Sequence, residues 1–231
     1  MPYDTPIFRP MGDRSLLVEL GDEISPSVNQ RVQELFTALD MEPIDGVRDL
    51  VPSYRSLLVV FDPLNISPVD LKRVIRDTYQ NLDQTELPEP RTIDIPIVYG
   101  GEQGPDLESV AQYHQLTPQA IIDYHTRPTY RVYMIGFTPG YPYLGEVPDA
   151  IATPRRKTPR TLVPKGSVGI AQKQTGIYSV DSPGGWQIIG WTPVNLFDPQ
   201  AQPPSLLMMG DRVRFQAISA QDASQWKPSK R

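Results

Sequence analysis

Residues 174–193 read QTGIYSVDSPGGWQIIGWTP, and this stretch decides the fold of the second half of the chain. Short apolar runs alternate there with turn residues, among them the Pro183-Gly184-Gly185 corner. Closely spaced turns of this kind are typical of β-structure, because short strands must reverse direction often. Residues 128–210 as a whole contain 12 of the 26 prolines and 10 of the 16 glycines. We therefore expect a β-barrel or another closed sheet in this region.

The first third of the chain has a different pattern, in which strand-like and helix-like runs alternate. Two serine-proline pairs, Ser25-Pro26 and Ser67-Pro68, each supply a helix cap followed by a proline at the first helical position. Apolar residues at helical spacing follow each pair, so both helices should bury one face. Strands are predicted at residues 15–20, 46–51 and 55–61.

Residues 93–99 (IDIPIVY) allow two arrangements. As the last strand of the first domain they complete the order β-α-β-β-α-β, which is the ferredoxin-like pattern; the same strand could instead open the second domain. The polar, proline-containing stretch 83–91 is typical of a linker. The sequence therefore predicts an α+β chain, with a small ferredoxin-like α/β domain at residues 1–88 and a β-barrel domain at residues 89–231.

Composition and charge exclude several classes of function. The chain has no cysteine and only two histidines, which excludes disulfides, thiolate zinc sites, cysteine nucleophiles and metal sites built on several imidazoles. A formal net charge of -5 argues against nucleic acid as a partner. The acidic helices predicted at residues 106–114 and 118–125 are accordingly interpreted as packing elements and not as a DNA-binding helix pair. Without a signal peptide or a long apolar segment, we expect no membrane insertion and a cytoplasmic location.

The most basic segment of the chain is the first candidate for a binding site. Arg155, Arg156, Lys157, Arg160 and Lys165 place five cations in eleven positions with no acid among them. Such a segment could hold a carboxylate or a phosphate, and the planar guanidinium of arginine can bond two oxygens at once. A solvated basic loop is an equally good interpretation of the charges alone. The prolines between the cations favour function slightly, because a stiff loop loses less entropy on binding.

The segment Ser182-Pro183-Gly184-Gly185-Trp186 is the second candidate. Paired glycines allow close approach of a ligand to the backbone and can turn successive N–H groups towards an anion, with Trp186 as a wall. From the residues alone, a tight hairpin turn with a buried tryptophan is the stronger interpretation.

Several long strings resemble the family of KipI and the 5-oxoprolinase B subunit in order and spacing. They are IPIVYGGEQGPDLESVA (95–111), GFTPGYPYLG (136–145), TPRRKTPRTLVPKGSVGIA (153–171), QTGIYSVDSPGGWQIIGWTP (174–193), and LFDP (196–199) followed by PPSLLMMGDRVRF (203–215). The N-terminal strings GDRSLLVEL (12–20) and SYRSLLVV (53–60) extend the resemblance over nearly the whole chain. Because several long strings must coincide, the resemblance is specific.

This resemblance implies a fold and an activity. The fold would be a cyclophilin-like β-barrel preceded by a smaller α/β domain, without any implication of prolyl isomerase activity. The activity would be that of the B subunit of an ATP-dependent 5-oxoprolinase, which acts only together with the A and C subunits. The sequence has no common phosphate-binding loop, so ATP is expected to bind with or through the partner subunits.

Two other functions are compatible with the resemblance. One is a KipI-like inhibitor of a sensor histidine kinase, which acts by binding the helical region of the kinase and needs an exposed apolar patch. The other and weaker one follows the family labels allophanate hydrolase subunit 1 and carboxyltransferase-like protein.

The two candidate segments, taken together with the resemblance, give the candidate site residues. The candidate substrate- or anion-binding residues are Arg155, Arg156, Arg160, Gln174, Thr175, Ser182, Gly184, Gly185 and Trp186. His125 is the candidate catalytic residue, since the family has a histidine at this place and an imidazole can carry a proton near neutral pH. A lone histidine at a helix end is more often structural.

Three positions depart from the family strings. Trp191 stands where an arginine or lysine is usual, Lys173 where glycine is usual, and Ser179 where proline is common. The loss of a cation at Trp191 removes one possible contact to an anion, so the family's substrate specificity does not transfer without a test.

Overall fold

The computed structural model describes residues 1–226. Contacts between residues divide the chain into two compact units, Met1–Glu89 and a second that begins at Pro90. A four-stranded sheet lies in the first unit, and a closed sheet lies in the second.

The first unit is a four-stranded antiparallel sheet with two helices. Its elements are β1 (Pro2–Pro10), β2 (Ser15–Gly21), α1 (Pro26–Met41), β3 (Val47–Pro52), β4 (Ser56–Phe61), α2 (Pro68–Gln80) and a short 3-10 turn (Leu82–Gln84). The strands lie in the order β1-β2-β4-β3. The apolar faces of the helices are buried, as the sequence predicted, with Val28, Val32 and Leu35 of α1 inaccessible to solvent.

The helix starts are confirmed in atomic detail. Ser25 Oγ accepts a hydrogen bond from the Val28 amide at 3.4 Å, and Ser67 Oγ accepts one from the Asp70 amide at 3.1 Å. Each bond satisfies one of the amides that a helix leaves open at its first turn, and the proline that follows each cap needs no such partner.

The strand at residues 93–99 does not belong to this first sheet. It lies within β5 (Thr92–Tyr99), which is part of the barrel, so the second of the two arrangements is correct. The first unit therefore has the order β-β-α-β-β-α, and the ferredoxin-like pattern is not confirmed.

The position beside β2 is taken by β1, with Phe8 opposite Val18. β1 was not predicted from the sequence, because three prolines interrupt its alternating pattern. An edge strand tolerates proline better than a central one, since one side of its backbone makes no sheet hydrogen bonds.

The second unit is built on a closed barrel of seven strands. Its elements after β5 are α3 (Leu107–Tyr113), α4 (Pro118–Thr126), β6 (Thr129–Ile135), β7 (Pro142–Gly145), a 3-10 turn (Asp149–Ile151), β8 (Arg160–Val163), β9 (Ser167–Ala171), β10 (Gln174–Ile177), β11 (Ser182–Gly184), β12 (Gln187–Trp191), β13 (Arg212–Ala217) and α5 (Ala220–Ser224). The barrel closes in the order β10-β7-β6-β13-β5-β12-β9. The expectation of a closed sheet is thus confirmed.

The two predicted helices of this unit are packing elements. Val110 of α3 and Ile121 of α4 are buried in the same apolar cluster as Ile95 and Val132 of the barrel. Both helices therefore bury their apolar residues against the barrel, as the sequence analysis expected.

A second, two-stranded sheet carries the candidate site. It consists of β8 and β11, with Val163 opposite Ser182 and Arg160 opposite Gly184. The basic segment and the glycine-bearing segment are therefore neighbours in the fold. Among residues 1–226, no helix is long and apolar enough to cross a membrane.

Candidate anion-binding site

The structure brings the two predicted segments together. The Arg156 amide donates a hydrogen bond to the Gly185 carbonyl at 2.8 Å, which extends the contact between β8 and β11 beyond the strands. The guanidinium of Arg155 lies 6.0 Å from the ring centroid of Trp186, at the outer limit for a cation–π contact. Cations and glycines thus lie on one surface and not on opposite ones.

Asp106 organises the arginines of this surface. Its Oδ1 accepts hydrogen bonds from Arg156 Nη1 at 3.0 Å and from Arg160 Nη2 at 2.8 Å, and its Oδ2 accepts one from the Ile188 amide at 2.7 Å. The Asp106 side chain is only 5% exposed. One buried carboxylate therefore fixes two guanidinium groups and ties them to the barrel strand β12.

No local pattern in the sequence indicates this role of Asp106. An aspartate immediately before a helix normally caps it. Asp106 stands at that place before α3, but its side chain makes no cap bond. Its partners lie some fifty residues or more further along the chain, so only the fold reveals them.

The same cluster leaves hydrogen-bonding capacity unused. Arg156 Nε, Arg160 Nη1 and Ser182 Oγ are buried polar atoms without a hydrogen-bond partner among the described residues. Buried polar atoms in native proteins almost always have partners, because an unpaired one is costly. Two guanidiniums against one carboxylate also leave a net positive charge. The arrangement suits an anion with several oxygens.

A groove of about 370 Å³ borders Arg160. Its walls include the exposed side chain of Leu162, Pro164 and Trp191, and its floor includes the buried Ile188. A concave, mainly apolar space with a cation at its edge can hold a small organic anion, since the apolar wall binds the carbon skeleton and the cation binds the charge.

Two tyrosines beside the site belong to the core. Tyr141 and Tyr178 are 1% exposed and lie edge to face with ring centroids 5.2 Å apart. Trp186 is 5% exposed and packs against the same cluster. Burial raises the pKa of Tyr178. The side chain of Trp186, which was predicted to form a wall of the site, is therefore mostly internal. The guanidinium of Arg155 lies over its ring.

The paired glycines do not form the anion-binding turn that the sequence suggested. Neither Gly184 nor Gly185 has a positive φ. A Cβ on Gly184 would lie 2.1 Å from the hydroxyl of Tyr178, whereas one on Gly185 would lie 3.6 Å from the nearest atom, in Pro159. Gly184 is thus required by packing against a tyrosine. The pair links β11 to β12, which lie in different sheets and do not pair with each other, so it is not a hairpin turn either.

His125 is a core residue and not an exposed proton carrier. Its side chain is inaccessible to solvent and is stacked on Phe215, with centroids 4.7 Å apart. Burial lowers its pKa to about 3. A neutral imidazole without access to solvent or to the site does not exchange protons with a substrate, so this part of the sequence prediction is not supported.

Thr175 belongs to the same internal cluster. Its hydroxyl lies 2.9 Å from His125 Nε2 and donates a hydrogen bond to the Gly169 carbonyl at 3.0 Å. It is fully buried, so it offers nothing to a ligand on the surface. Gln174 precedes it, opposite Gly145 and Ala171, on barrel strands and not on the β8–β11 sheet. These two predicted ligand residues therefore lie outside the site that the fold assembles.

Comparison with known proteins fits this architecture. The family model of the carboxyltransferase domain, subdomains C and D, matches residues 6–207. The B subunit of 5-oxoprolinase from Bacillus subtilis is 41% identical over 94% of this chain and 95% of its own length. The chain belongs to the family of the carboxyltransferase domain, subdomains C and D.

Two further relatives extend the comparison. The B subunit of 5-oxoprolinase from Haemophilus influenzae is 44% identical over 82% of this chain and 88% of its own length. The crystal structure of TTHA0988 superposes with a TM-score of 0.81 at 40% identity, over 90% of this chain. This chain spans 41% of the length of that protein.

The three residues that were expected to depart from the strings of the KipI and 5-oxoprolinase B-subunit family each have a structural role here. Trp191 donates its indole N–H to the Lys165 carbonyl at 2.9 Å and forms a wall of the groove. Ser179 donates to the Pro139 carbonyl at 2.6 Å, and Lys173 pairs with Asp149 at 2.7 Å on the surface. Of these three departures, the one at Trp191 touches the candidate site.

The acidic and histidine side chains of the described part of the chain do not form a metal site. Among residues 1–226, no three histidine, aspartate or glutamate side chains converge in a way that could hold a metal ion.

Proposed function

We propose that this protein is the B subunit of an ATP-dependent 5-oxoprolinase, which opens the lactam of 5-oxoproline to glutamate with hydrolysis of ATP to ADP and phosphate. The proposal rests on the 41% identity to the B subunit of 5-oxoprolinase from Bacillus subtilis over 94% of the chain. We propose further that the A and C subunits are its partners, that it has no activity alone, and that it works in the cytoplasm, where ATP is available.

The arginine cluster would supply the electrostatic part of the reaction. Arg156 and Arg160 are held by Asp106 and keep one unpaired buried nitrogen each among the described residues. Donors fixed in this way can bind the carboxylate of 5-oxoproline or the oxygens of a phosphorylated intermediate without reorganising. The apolar groove beside Arg160 is of a size to take the ring of the substrate.

ATP would be bound with or by the partner subunits. The sequence has no phosphate-binding loop of the common type, and its candidate site offers an anion two arginines instead of a loop of backbone amides. The barrel would have a cyclophilin-like arrangement, as a fold and without isomerase activity.

Reconstitution tests the proposal. The chain is purified alone and with the A and C proteins of the same organism, and 5-oxoproline-dependent release of ADP is measured in each mixture. We expect ADP release only when all three proteins are present. If the complete mixture is inactive and the chain instead binds the helical region of a sensor histidine kinase tightly, the KipI-like function replaces this one.

A double variant tests the site within the active complex. Arg155→Ala combined with Arg156→Ala should raise the KM for 5-oxoproline about ten-fold or more, because a hydrogen bond to a charged group contributes about 1.5–3 kcal/mol. Lys157→Ala is the matched control, since it removes an exposed cation from the same loop and should change KM less than about two-fold. An unchanged KM in the double variant would leave the loop a purely structural element.

A further inference from the structure

The loop between β6 and β7, residues 136–141, presents an aromatic side chain to solvent. Phe137 is 60% exposed, whereas Tyr141 at the other end of the loop is 1% exposed. Single apolar side chains are common on protein surfaces, so the exposure alone indicates no function. At Phe137 a second feature, in the backbone, accompanies it.

The backbone of Phe137 is in the left-handed region, with a φ of +67°. A bulky residue in this region is an outlier, because its Cβ crowds the following carbonyl. Gln115 and Gln172 also have a positive φ, but Gln115 ends α3 and Gln172 lies in the tight turn between β9 and β10, where this conformation is common. Backbone strain persists only where the surrounding structure imposes it, and it is concentrated at functional sites.

Hydrogen bonds hold the loop in this conformation. The Gly136 amide donates to the Tyr141 carbonyl at 3.0 Å, and the Tyr141 amide donates to the Thr138 carbonyl at 3.1 Å. The Ser179 hydroxyl connects the loop to the rest of the unit by donating to the Pro139 carbonyl at 2.6 Å. The loop is therefore a fixed support for its aromatic ring. A side chain that is fixed before binding loses less entropy when a partner covers it.

A cation lies beside the same aromatic cluster. The Phe137 ring lies edge to face on Tyr141, with centroids 5.5 Å apart, and Tyr141 lies edge to face with Trp186, with centroids 5.8 Å apart. The guanidinium of Arg155 lies over the ring of Trp186. Burial raises the pKa of Tyr143, and the positive charge of Arg155 opposes this shift. Two rings of one cluster thus separate Phe137 from Arg155.

The positive charge beside this cluster is not neutralised within the described part of the chain. Arg155 is exposed and makes no ion pair among residues 1–226. The next residue, Arg156, shares the carboxylate of Asp106 with Arg160, so that pairing leaves a further cation in excess. Aromatic residues and arginine are enriched in the buried centres of protein interfaces, and complementary charge selects the partner. A complementary surface therefore has an apolar pocket with acidic side chains at its rim.

A protein fits this surface better than the small substrate does. Phe137 does not line the groove beside Arg160, where the ring of the substrate was placed. The related part of TTHA0988 is 41% of that chain, so the related units are joined there to further polypeptide. Both observations favour a protein as the occupant.

We propose that Phe137 is the apolar anchor by which this chain docks on a partner subunit, whose surface has an apolar pocket rimmed by acidic side chains. The identity of the partner rests on the proposed function, under which it is a subunit of the 5-oxoprolinase complex. Docking explains both features of Phe137, because a partner removes the ring from water and the strained loop holds the ring in position for it.

Binding of the purified A and C proteins to the full chain tests the anchor, with surface plasmon resonance as the measurement. Phe137→Asn is the informative variant, since asparagine tolerates the left-handed backbone but has no apolar ring. We expect it to bind the partner at least about ten-fold more weakly, as variants of interface hot spots do. Its melting temperature should stay within about 3 °C of the wild type or rise, whereas loss of a purely structural residue would lower it.

Two matched variants and a salt series are the controls. Gln115→Asn changes another exposed residue with a positive φ, and Leu64→Asn removes an apolar side chain that is 92% exposed. Both should leave the Kd unchanged within about two-fold. Raising the salt concentration from about 50 to about 300 mM should weaken binding of the wild type and of Phe137→Asn alike, because salt screens the cations and not the ring.

Every outcome decides the inference. If the A or C protein binds the wild-type chain and binds Phe137→Asn or Leu64→Asn to the same extent as each other, the anchor is refuted while the proposed function stands. If Phe137→Asn assembles normally but raises the KM for 5-oxoproline, the ring contacts the substrate and docking is refuted. If neither protein binds the wild-type chain and the complete mixture releases no ADP, the proposed function fails and the anchor fails with it.

Discussion

Two polar clusters of the second unit differ in how completely their hydrogen bonds are made. Around His125, both ring nitrogens have partners, with Tyr99 Oη 2.7 Å from Nδ1 and Thr175 Oγ1 2.9 Å from Nε2. Around Asp106, the carboxylate is satisfied, but Arg156 and Arg160 each keep a buried nitrogen without a partner among the described residues. We call the His125 cluster closed, because both ring nitrogens have partners, and the Asp106 cluster open, because two of its buried donors have none among the described residues.

The closed cluster has only one consistent arrangement of protons. Thr175 gives its hydroxyl proton to the Gly169 carbonyl, so it can only accept from His125, which must carry its proton on Nε2. Nδ1 then accepts from the hydroxyl of Tyr99, whose pKa burial raises well above its ordinary value. Every donor has an acceptor, so this cluster specifies the core and has no capacity left for a ligand.

The open cluster has the opposite property. Its guanidiniums are fixed by Asp106, and each retains a buried donor without a partner among the described residues; preorganised anion sites need fixed donors of this kind. A titratable residue is therefore a weaker sign of a binding or catalytic site than a polar cluster that keeps unpaired donors. Four substitutions, each with a matched control variant, test this contrast.

Asp106→Ala should have the largest effect. It would leave two partly buried guanidiniums and the Ile188 amide without their acceptor. Removing one partner from a buried ion pair costs about 3–5 kcal/mol, so we expect the free energy of unfolding in urea to fall by about that amount.

A surface aspartate gives the control for Asp106→Ala. Asp149 pairs with Lys173 at 2.7 Å, but its side chain is 79% exposed. Asp149→Ala should cost less than about 1 kcal/mol. Equal effects of the two variants would contradict the role assigned to Asp106.

The closed cluster predicts a dependence of stability on pH. His125 has a pKa of about 3 in the folded protein, against 6.5 for a free imidazole. Because the folded pKa is lowered, the stabilisation is complete above pH 6.5 and is lost as the pH falls towards 3. Between about pH 6.5 and pH 4.5 the free energy of unfolding should decrease by roughly 2–3 kcal/mol.

Variants of the two histidines separate this contribution from others. His125→Gln should remove most of the decrease, as measured by urea denaturation at a series of pH values. His114→Gln is the control, since burial also lowers the pKa of His114 but this side chain is partly exposed. If the free energy of unfolding still decreases with pH in His125→Gln but no longer does so in His114→Gln, then His114 and not His125 causes the pH dependence.

A smaller change in stability is expected from substitutions at Gly184 and Gly185. Gly184→Ala should destabilise the protein by about 1–3 kcal/mol, because the new Cβ would lie 2.1 Å from the Tyr178 hydroxyl. Gly185→Ala places its Cβ at an ordinary contact distance and should change stability by less than about 0.5 kcal/mol. Thermal unfolding of both variants distinguishes packing from ligand contact: if the pair served a ligand, Gly185→Ala would impair binding without affecting stability.

The sequence predicted those features whose causes are local. The caps at Ser25 and Ser67, the apolar faces of the helices and the turn-rich barrel follow from spacing and from turn chemistry. What the sequence could not show was pairing over long distances, such as Asp106 with Arg160, or β1 beside β2 in place of residues 93–99.

The role of single residues was predicted less well, for the same reason. His125 and Thr175 were suggested by residue type and by family strings, and both are internal. The burial of a residue and its hydrogen-bond partners depend on which strands close the barrel around it. Neither property can be predicted from the residues next to it in the sequence. Asp106 illustrates the converse, because its local position suggests an ordinary helix start.

Trp191→Arg should have the smallest effect and bears most directly on specificity. The family resemblance led us to expect a cation at this position, and here the indole lines the groove beside Arg160. An added surface cation contributes about 0.2–1 kcal/mol to binding a carboxylate, which corresponds to an affinity about 1.4- to 5-fold higher. The reconstituted complex should therefore show a lower KM for 5-oxoproline with kcat unchanged. Trp191→Gln is the matched control, since it also removes the indole from the groove but adds no charge. If KM falls in both variants, the indole blocks the groove, and the missing charge is not the cause.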